Sequence, residues 1–241
     1  MEVHSMKPTS PKYRHELKYQ IDQASALSLK QQLPLMLRRD PHVAPDGTYL
    51  ITSLYFDNCF DKALREKRHG MQKREKFRLR YYGTHPDTVF LEKKQKINDL
   101  CLKSTAPMSA ESCRDILDGN WKWLLSASDP LLQELGFKMQ TQLLRPKTVV
   151  SYRREPFIYE PGNVRITFDS NICTGLSADY FLDNKLLALC SSPQHLEAET
   201  SSLILEVKYD EFLPDFIRGI LQSVYLRQHS FSKYAQCRTF D

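Results

Sequence analysis

Arginine and lysine recur at every second position in several short segments that are rich in β-branched and aromatic residues. In one of them Lys76, Arg78 and Arg80 alternate with Phe77 and Leu79. Successive side chains of a β-strand point to opposite faces, so these three cations share one face. The same alternation places together Arg14, Glu16 and Lys18; Glu92, Lys94 and Lys96; Arg165 and Asp169; and Glu206 and Lys208. Many cations that converge in this way indicate a strongly negative ligand.

A charged strand face has a simpler interpretation, which is that it meets water, as in many antiparallel sheets. For any single strand that interpretation is favoured. Solvated faces, however, usually mix neutral polar residues with charges of both signs, whereas Arg and Lys return here on strand after strand. Five amphipathic helical segments must also cover an apolar face. A closed barrel with the charged face inside and the helices outside accounts for both patterns.

The elements that position these residues follow from periodicity and from helix caps. Helices are predicted from Asp22 to about Arg38, Asp57 to Gly70, Ser109 to Leu117, Asp129 to Leu143 and Pro214 to Tyr225. Strands are predicted for Tyr13 to Ile21, Leu50 to Phe56, Lys76 to Tyr82, Thr88 to Lys96, Val149 to Arg154, Val164 to Ser170 and Leu203 to Tyr209, with Lys185 to Leu189 as a further strand. The sequence thus predicts an α+β fold of about eight mostly antiparallel strands in one domain, residues 1–241.

Composition bounds the class of protein. The 241 residues include 41% hydrophobic and 26% charged residues, which excludes a disordered or collagen-like chain. The balance of 34 Lys and Arg against 29 Asp and Glu gives a net charge of +5, which suits an anionic ligand without identifying one. Six scattered cysteines form no CxxC pair, so we expect reduced, structural thiols. Neither a signal peptide nor a transmembrane stretch is apparent, and a cytoplasmic protein is expected.

Eight motifs in order resemble the VTC domain, the catalytic domain of the vacuolar transporter chaperone polyphosphate polymerase, which has bacterial stand-alone relatives. The motifs span about residues 11–238 and read RHELKY, SLYFDN, KFRLRYYG, FLEKKQK, SYRREPF, VRITFD, LEVKY and SFSKY. The resemblance implies the triphosphate tunnel fold of CYTH-like proteins, an eight-stranded antiparallel β-barrel with helices packed outside. Arg14 stands where CYTH relatives carry the first acid of an E-x-E-x-K motif, which fits the VTC branch better.

The resemblance also implies roles for individual residues. The catalytic residues would be Arg78, Arg80, Arg154, Arg165 and Glu206. The substrate-binding residues would be Lys18, Lys76, Lys94, Lys208 and Lys233. A divalent metal ion, Mn²⁺ or Mg²⁺, would be held by Glu206, with Glu92 as the second choice, because such ions need hard oxygen ligands.

The activity implied is metal-dependent transfer of the γ-phosphate of ATP, or of another triphosphate, to a growing polyphosphate or pyrophosphate chain. A terminal phosphate is largely ionised near neutral pH, so this reaction needs no general base. Two alternatives stay open: a triphosphatase or polyphosphatase on the same barrel, and a noncatalytic polyphosphate-binding module. Nucleic acid is disfavoured as a partner because no exposed aromatic platform or recognition helix is evident. A separate membrane protein is a conceivable partner, and the oligomeric state is open.

Overall fold

One curled antiparallel sheet forms the centre of the computed structural model, which describes residues 13–175, 177–183, 203–228 and 230–238. The strands are β1 (His15–Ile21), β2 (Arg38–Arg39), β3 (Tyr49–Asp57), β4 (Lys73–Tyr82), β5 (Val89–Ile97), β6 (Leu100–Met108), β7 (Arg145–Tyr159), β8 (Val164–Gly175), β9 (Leu203–Tyr209) and β10 (Arg227–Gln228). Nine of them are hydrogen-bonded in the order β10-β1-β9-β8-β7-β3-β4-β5-β6, and β2 pairs with β7.

The sheet curls until β6, at one end, meets the start of β1 at a single point. Arg14, just before β1, and Cys101 of β6 form an isolated bridge in which each amide donates to the other carbonyl at 3.0 Å. No longer ladder joins β6 to β1 in the part of the chain that the structure describes. The prediction of a closed, eight-stranded barrel is therefore corrected, for the residues that the structure describes, to an open, curled sheet with nine strands along its ladder.

Two differences explain the strand count. β6 was not predicted, because Pro107 interrupts a segment of mixed polarity and proline is disfavoured inside strands. β10 has only two residues, too few for a periodic pattern. The strand predicted at Lys185 to Leu189 lies outside the described residues. The α+β class and the antiparallel pairing are confirmed.

The described residues include six helices: α1 (Gln23–Gln32), α2 (Lys62–Arg68), α3 (Ala110–Leu117), α4 (Pro130–Thr141), α5 (Asp215–Gln222) and α6 (Lys233–Cys237). Side chains of Asp22, Ser109 and Asp129 cap α1, α3 and α4 by accepting backbone N–H bonds, as the sequence predicted. The first helix ends earlier than predicted, because Pro34 falls in a 3₁₀ turn, Leu33–Leu35, that follows α1.

The apolar faces of the strands pack against helices on the outside of the curl. Leu79 and Leu91 are buried with Leu135 and Met139 of α4. On the other side of the molecule, α1 and α5 cover a second cluster that includes Ile166 of β8 and Val207 of β9. Burial of these alternate positions leaves the charged positions of the same strands facing inward.

The cysteines differ from the expectation of six reduced thiols. Cys173 is disulfide-bonded, whereas Cys59, Cys101, Cys113 and Cys237 are free. Within the described part of the chain, no helix combines the length and apolar character needed to cross a membrane.

Candidate functional site

A cavity of about 460 Å³ lies on the inner face of the curled sheet. We call it the inner cavity. Its lining includes most of the side chains that the sequence predicted for the site: Lys18, Lys76, Arg78, Arg80, Lys94, Arg154, Glu206, Lys208 and Lys233. They come from β1, β4, β5, β7, β9 and α6. The alternation of side chains along each strand therefore brings residues from distant segments to one cavity.

Two arginines of β4 form one wall of the inner cavity. Arg78 is bound to Glu92 of β5, with Nε and Nη2 at 2.8 and 2.6 Å from Oε2. Arg80 donates to the Ser53 hydroxyl and to the Tyr152 hydroxyl, both at 3.0 Å. Burial lowers the pKa of Arg78, but the negative charge of Glu92 outweighs it and holds the guanidinium charged. Arg78 and Arg80 are fixed donors for an anion.

Arg154 and Lys233 share one buried carboxylate on the neighbouring wall. Arg154 binds Asp169 through two hydrogen bonds of 2.6 and 2.7 Å, and Lys233 Nζ lies 2.5 Å from Asp169 Oδ2. Burial alone would raise the pKa of Asp169, but Arg154 and Lys233 lower it to about 2. Asp169 thus stays ionised and orients both cations.

A square of alternating charge spans β1 and β9 and consists of Glu16, Lys18, Glu206 and Lys208. Lys18 lies opposite Glu206 in the antiparallel register, and Glu16 lies opposite Lys208. Lys18 Nζ bridges both acids, at 3.0 Å from Glu16 Oε1 and 3.3 Å from Glu206 Oε1. Lys208 Nζ is 2.9 Å from Glu206 Oε2. Burial raises the pKa of Glu16, yet Lys94 and Lys18 together bring it down to about 2. Both carboxylates are therefore ionised.

The mouth of the inner cavity is more strongly cationic than its depth. Lys76 Nζ donates to the Ser232 hydroxyl at 3.0 Å, and Lys67 Nζ to the Ser230 carbonyl at 2.5 Å, so both bond to neutral oxygens. Burial and the positive charge of Lys18 lower the pKa of Lys76 to about 7. Burial and Arg74 lower the pKa of Lys67 to about 8. Burial is the larger cause of both pKa shifts, and neighbouring positive charges add to it.

Two predicted residues lie elsewhere. Arg165 does not line the inner cavity; its Nη2 is 2.6 Å from both Asp40 Oδ2 and the Tyr49 hydroxyl, beside a different cavity. Glu92 lies behind the wall, bound to Arg78 and to Lys103 Nζ at 3.0 Å, and its side chain is only 3% exposed. The role of Glu92 as a metal ligand stays a prediction.

Several cavity residues were not assigned to the site from the sequence. Glu16 shares a face with Lys18, and that parity was the signal that could have identified it. Lys67 comes from α2, where no strand parity applies, and Arg74 lies on β4 before the predicted strand begins. Tyr55, which sequence reasoning favours as a core residue, is buried yet lines the cavity and accepts a hydrogen bond of 3.1 Å from Arg78 Nη1.

The carboxylates of the inner cavity can be compared with the ligands that a divalent metal ion requires. No group of three or more His, Cys, Asp or Glu side chains suited to a metal occurs among the described residues. Glu16 and Glu206 nevertheless offer two ionised carboxylates on adjacent strands. Mg²⁺ is commonly held by one or two carboxylates, with water and substrate phosphates as its other ligands. The pair fits that mode of binding, with Glu16 as a partner that the sequence did not assign.

Comparison with solved structures supports the α+β fold. The PH1819 protein from Pyrococcus horikoshii OT3 superposes with a TM-score of 0.52 at 14% sequence identity, covering 95% of this chain and 100% of that chain. A Bacillus halodurans protein described as a "putative adenylate cyclase" gives a TM-score of 0.45 at 12% identity, over 88% of this chain and 87% of that chain. No curated protein matches the sequence.

The family follows from a match over nearly the whole chain. The VTC domain model matches residues 13–240. The chain belongs to the VTC domain family, and the resemblance inferred from the eight motifs is confirmed. Membership indicates a function related to polyphosphate or triphosphate.

Proposed function

We propose that this protein is a polyphosphate polymerase, which transfers the γ-phosphate of ATP to the end of a growing polyphosphate chain. One observation carries the proposal: inward-facing cations from six elements line one cavity, next to the carboxylates of Glu16 and Glu206. A polyphosphate carries about one negative charge per phosphate, and the inner cavity supplies charge-assisted donors along its walls.

The donor residues match what phosphoryl transfer requires. The reaction needs alignment and neutralisation of charge on the transferred group more than covalent help from the protein. Arg80 and Arg154 are buried and Arg78 is half-buried, and hydrogen bonds hold all three guanidinium groups, so they lose little orientation when an anion binds. Lys18, Lys94 and Lys208 would hold the flanking phosphates. Arg165, which lies outside the inner cavity, is not included among the catalytic residues of this proposal.

A metal ion would be held by Glu206 and Glu16. When bound, it would neutralise charge on the phosphate oxygens and help to align them. The protein's own part is to keep these two carboxylates ionised, which Lys18, Lys94 and Lys208 achieve through their positive charges. Mn²⁺ and Mg²⁺ are both candidates for the ion. A cytoplasmic location, a single domain over residues 1–241 and a separate membrane partner stay predictions.

The test is synthesis of polyphosphate. We expect wild-type protein with ATP, Mn²⁺ or Mg²⁺, and a trace of pyrophosphate to make chains that lengthen with time on a gel. Glu206→Gln keeps the shape but removes the charge, so it should abolish chain growth while the cations still bind ATP. The exposed residue Glu160, which contacts Arg38 on the surface, provides Glu160→Gln as a matched control with normal activity.

The alternatives give different products. Release of orthophosphate alone would favour the triphosphatase or polyphosphatase. Binding of tripolyphosphate without turnover of ATP or polyphosphate, with either ion, would favour the noncatalytic module and contradict the catalytic roles proposed above.

A further inference from the structure

A second, open cavity of about 1100 Å³ lies at the rim of the sheet and is lined by residues from both of its faces. We call it the rim cavity, and Tyr49, Tyr82, Phe90, Asp40 and Arg165 are among its lining. Along β4 the inward face carries Arg78 and Arg80 and then ends at Tyr82. Along β5 the inward positions run from Lys94 to Glu92 and then to Phe90. The charged face of the sheet thus becomes aromatic at this end.

Three aromatic rings form a continuous array in the rim cavity. The ring centroids of Tyr49 and Tyr82 are 5.8 Å apart, and those of Tyr82 and Phe90 are 6.3 Å apart, both in edge-on geometry. Tyr82 is 43% exposed, so one surface of this large ring meets solvent inside the cavity. An exposed aromatic surface at the end of a cation-lined channel offers a place for a planar, uncharged group.

Arg165 fixes one side of this array. Its Nη2 donates to the Tyr49 hydroxyl and to Asp40 Oδ2, at 2.6 Å each, and Asp40 also accepts from the backbone N–H of His42 at 3.0 Å. These bonds tie the segment after β2 to the first residue of β3. The arginine therefore holds Tyr49 in the wall of the rim cavity.

Arg80 and Arg154 of the inner cavity lie close to the aromatic residues of the rim cavity. The Arg80 guanidinium lies 6.0 Å from the centroid of the Tyr82 ring, and Arg80 also lines the inner cavity. Tyr49 is directly opposite Arg154 in the β3–β7 register. A molecule with a planar group against Tyr82 and a phosphate tail would direct that tail toward these two guanidinium groups.

We propose that the rim cavity binds the nucleoside of a nucleoside triphosphate, with the base against Tyr82 and Phe90 and the phosphates directed to Arg80 and Arg154. This inference rests on the proposed function, because it assigns the donor's base to a site beside the inner cavity. Stacking on aromatic rings tolerates any base, since every base has a π-face. ATP and GTP should therefore bind with similar affinity.

The experiment compares a nucleotide with an inorganic ligand that lacks the base. Dissociation constants for ATP and for tripolyphosphate are measured by calorimetry on wild type, Tyr82→Ala and Phe90→Ala. Loss of a stacking ring should weaken ATP binding about tenfold, within the range seen for base stacking. Tripolyphosphate binding should stay unchanged. Tyr225→Ala removes an aromatic side chain that is 85% exposed elsewhere on the surface and should change neither constant.

Three results would overturn the inference. Unchanged ATP affinity in both variants would exclude the base from the rim cavity. Equal weakening of ATP and tripolyphosphate would mean that Tyr82 acts only through Arg80. In both cases wild type still binds tripolyphosphate, so the proposed function survives. Wild type that binds neither ligand would contradict the proposed function together with this inference.

Discussion

Lysines at the mouth of the inner cavity are the groups whose charge depends most on a ligand. The pKa of Lys76 is about 7 and that of Lys67 about 8, with burial as the main cause in both. A bound polyanion raises these pKa values by opposite charge, so each lysine that was neutral takes up a proton. Binding should therefore weaken as the pH rises through and above 7 to 8, because the proton concentration falls while binding still requires proton uptake.

Calorimetry at pH 8 in two buffers of different ionisation enthalpy measures this uptake. We expect tripolyphosphate binding to take up on the order of one proton, and Lys76→Met to reduce that number. Lys122→Met replaces an exposed lysine outside the inner cavity and should leave the proton count at the wild-type value. Proton release, or a binding enthalpy independent of the buffer, would contradict this account of the mouth.

Helix α6 is the element that connects the inner cavity with the outside of the sheet. Tyr234 is 1% exposed, and its hydroxyl donates to Asp57 Oδ2 at 2.6 Å. Asp57 also accepts from the backbone N–H groups of Ala63 and Leu64 in α2, at 2.9 and 3.1 Å. One buried carboxylate thus links α2 with α6, and the residue before Tyr234 is Lys233 of the inner cavity.

Tyr234→Phe tests this anchor while keeping the ring that packs against Tyr55. Loss of a buried hydrogen bond to a charged acceptor should lower the free energy of unfolding by about 1.5–3 kcal/mol. Because α6 then opens more easily, amide exchange should rise in α6 before it rises in the core of β7, and tripolyphosphate should bind more weakly. Tyr225→Phe is the matched control. Uniform faster exchange with unchanged ligand binding would show a role in stability alone.

Strand alternation made most of the fold and site predictable, and its failures have physical causes. Arg78, Arg80 and Lys94 face inward as parity requires. Arg165 also lies on the inward face of its strand, but at the far end of that strand. Strand alternation predicts the face on which a side chain lies and not its position along the cavity. Lys67 contributes from a helix, where strand alternation does not apply, and Glu16 shares the inward face of Lys18 although it was not assigned to the site. How far along the inner cavity a side chain lies, and whether a helix also contributes to the lining, depend on tertiary packing and not on strand alternation.

The cations that line the inner cavity repel one another, and this repulsion acts on the stability of the whole folded molecule. Carboxylates offset part of this charge in the depth of the inner cavity, where Arg78 pairs with Glu92 and Arg154 with Asp169. At the mouth, the bonds of Lys67 and Lys76 go to neutral oxygens, and burial, followed by neighbouring positive charges, lowers the pKa of both lysines. Folding therefore works against repulsion that the unfolded chain does not have, and an anion with several charges should relieve it.

The melting temperature with and without ligand measures this relief. A ligand that binds only the folded state raises the free energy of unfolding by RT ln(1 + [L]/Kd), so a tighter ligand gives a larger shift. Tripolyphosphate can span the mouth and the arginines together, whereas monophosphate reaches one group at a time, so at equal concentration tripolyphosphate should raise the melting temperature far more. Arg78→Ala with Arg80→Ala should reduce that shift sharply. Equal shifts from the two anions in wild type, or a tripolyphosphate shift that the double variant leaves unchanged, would mean that the inner cavity responds to ionic strength and not to a chain of phosphates.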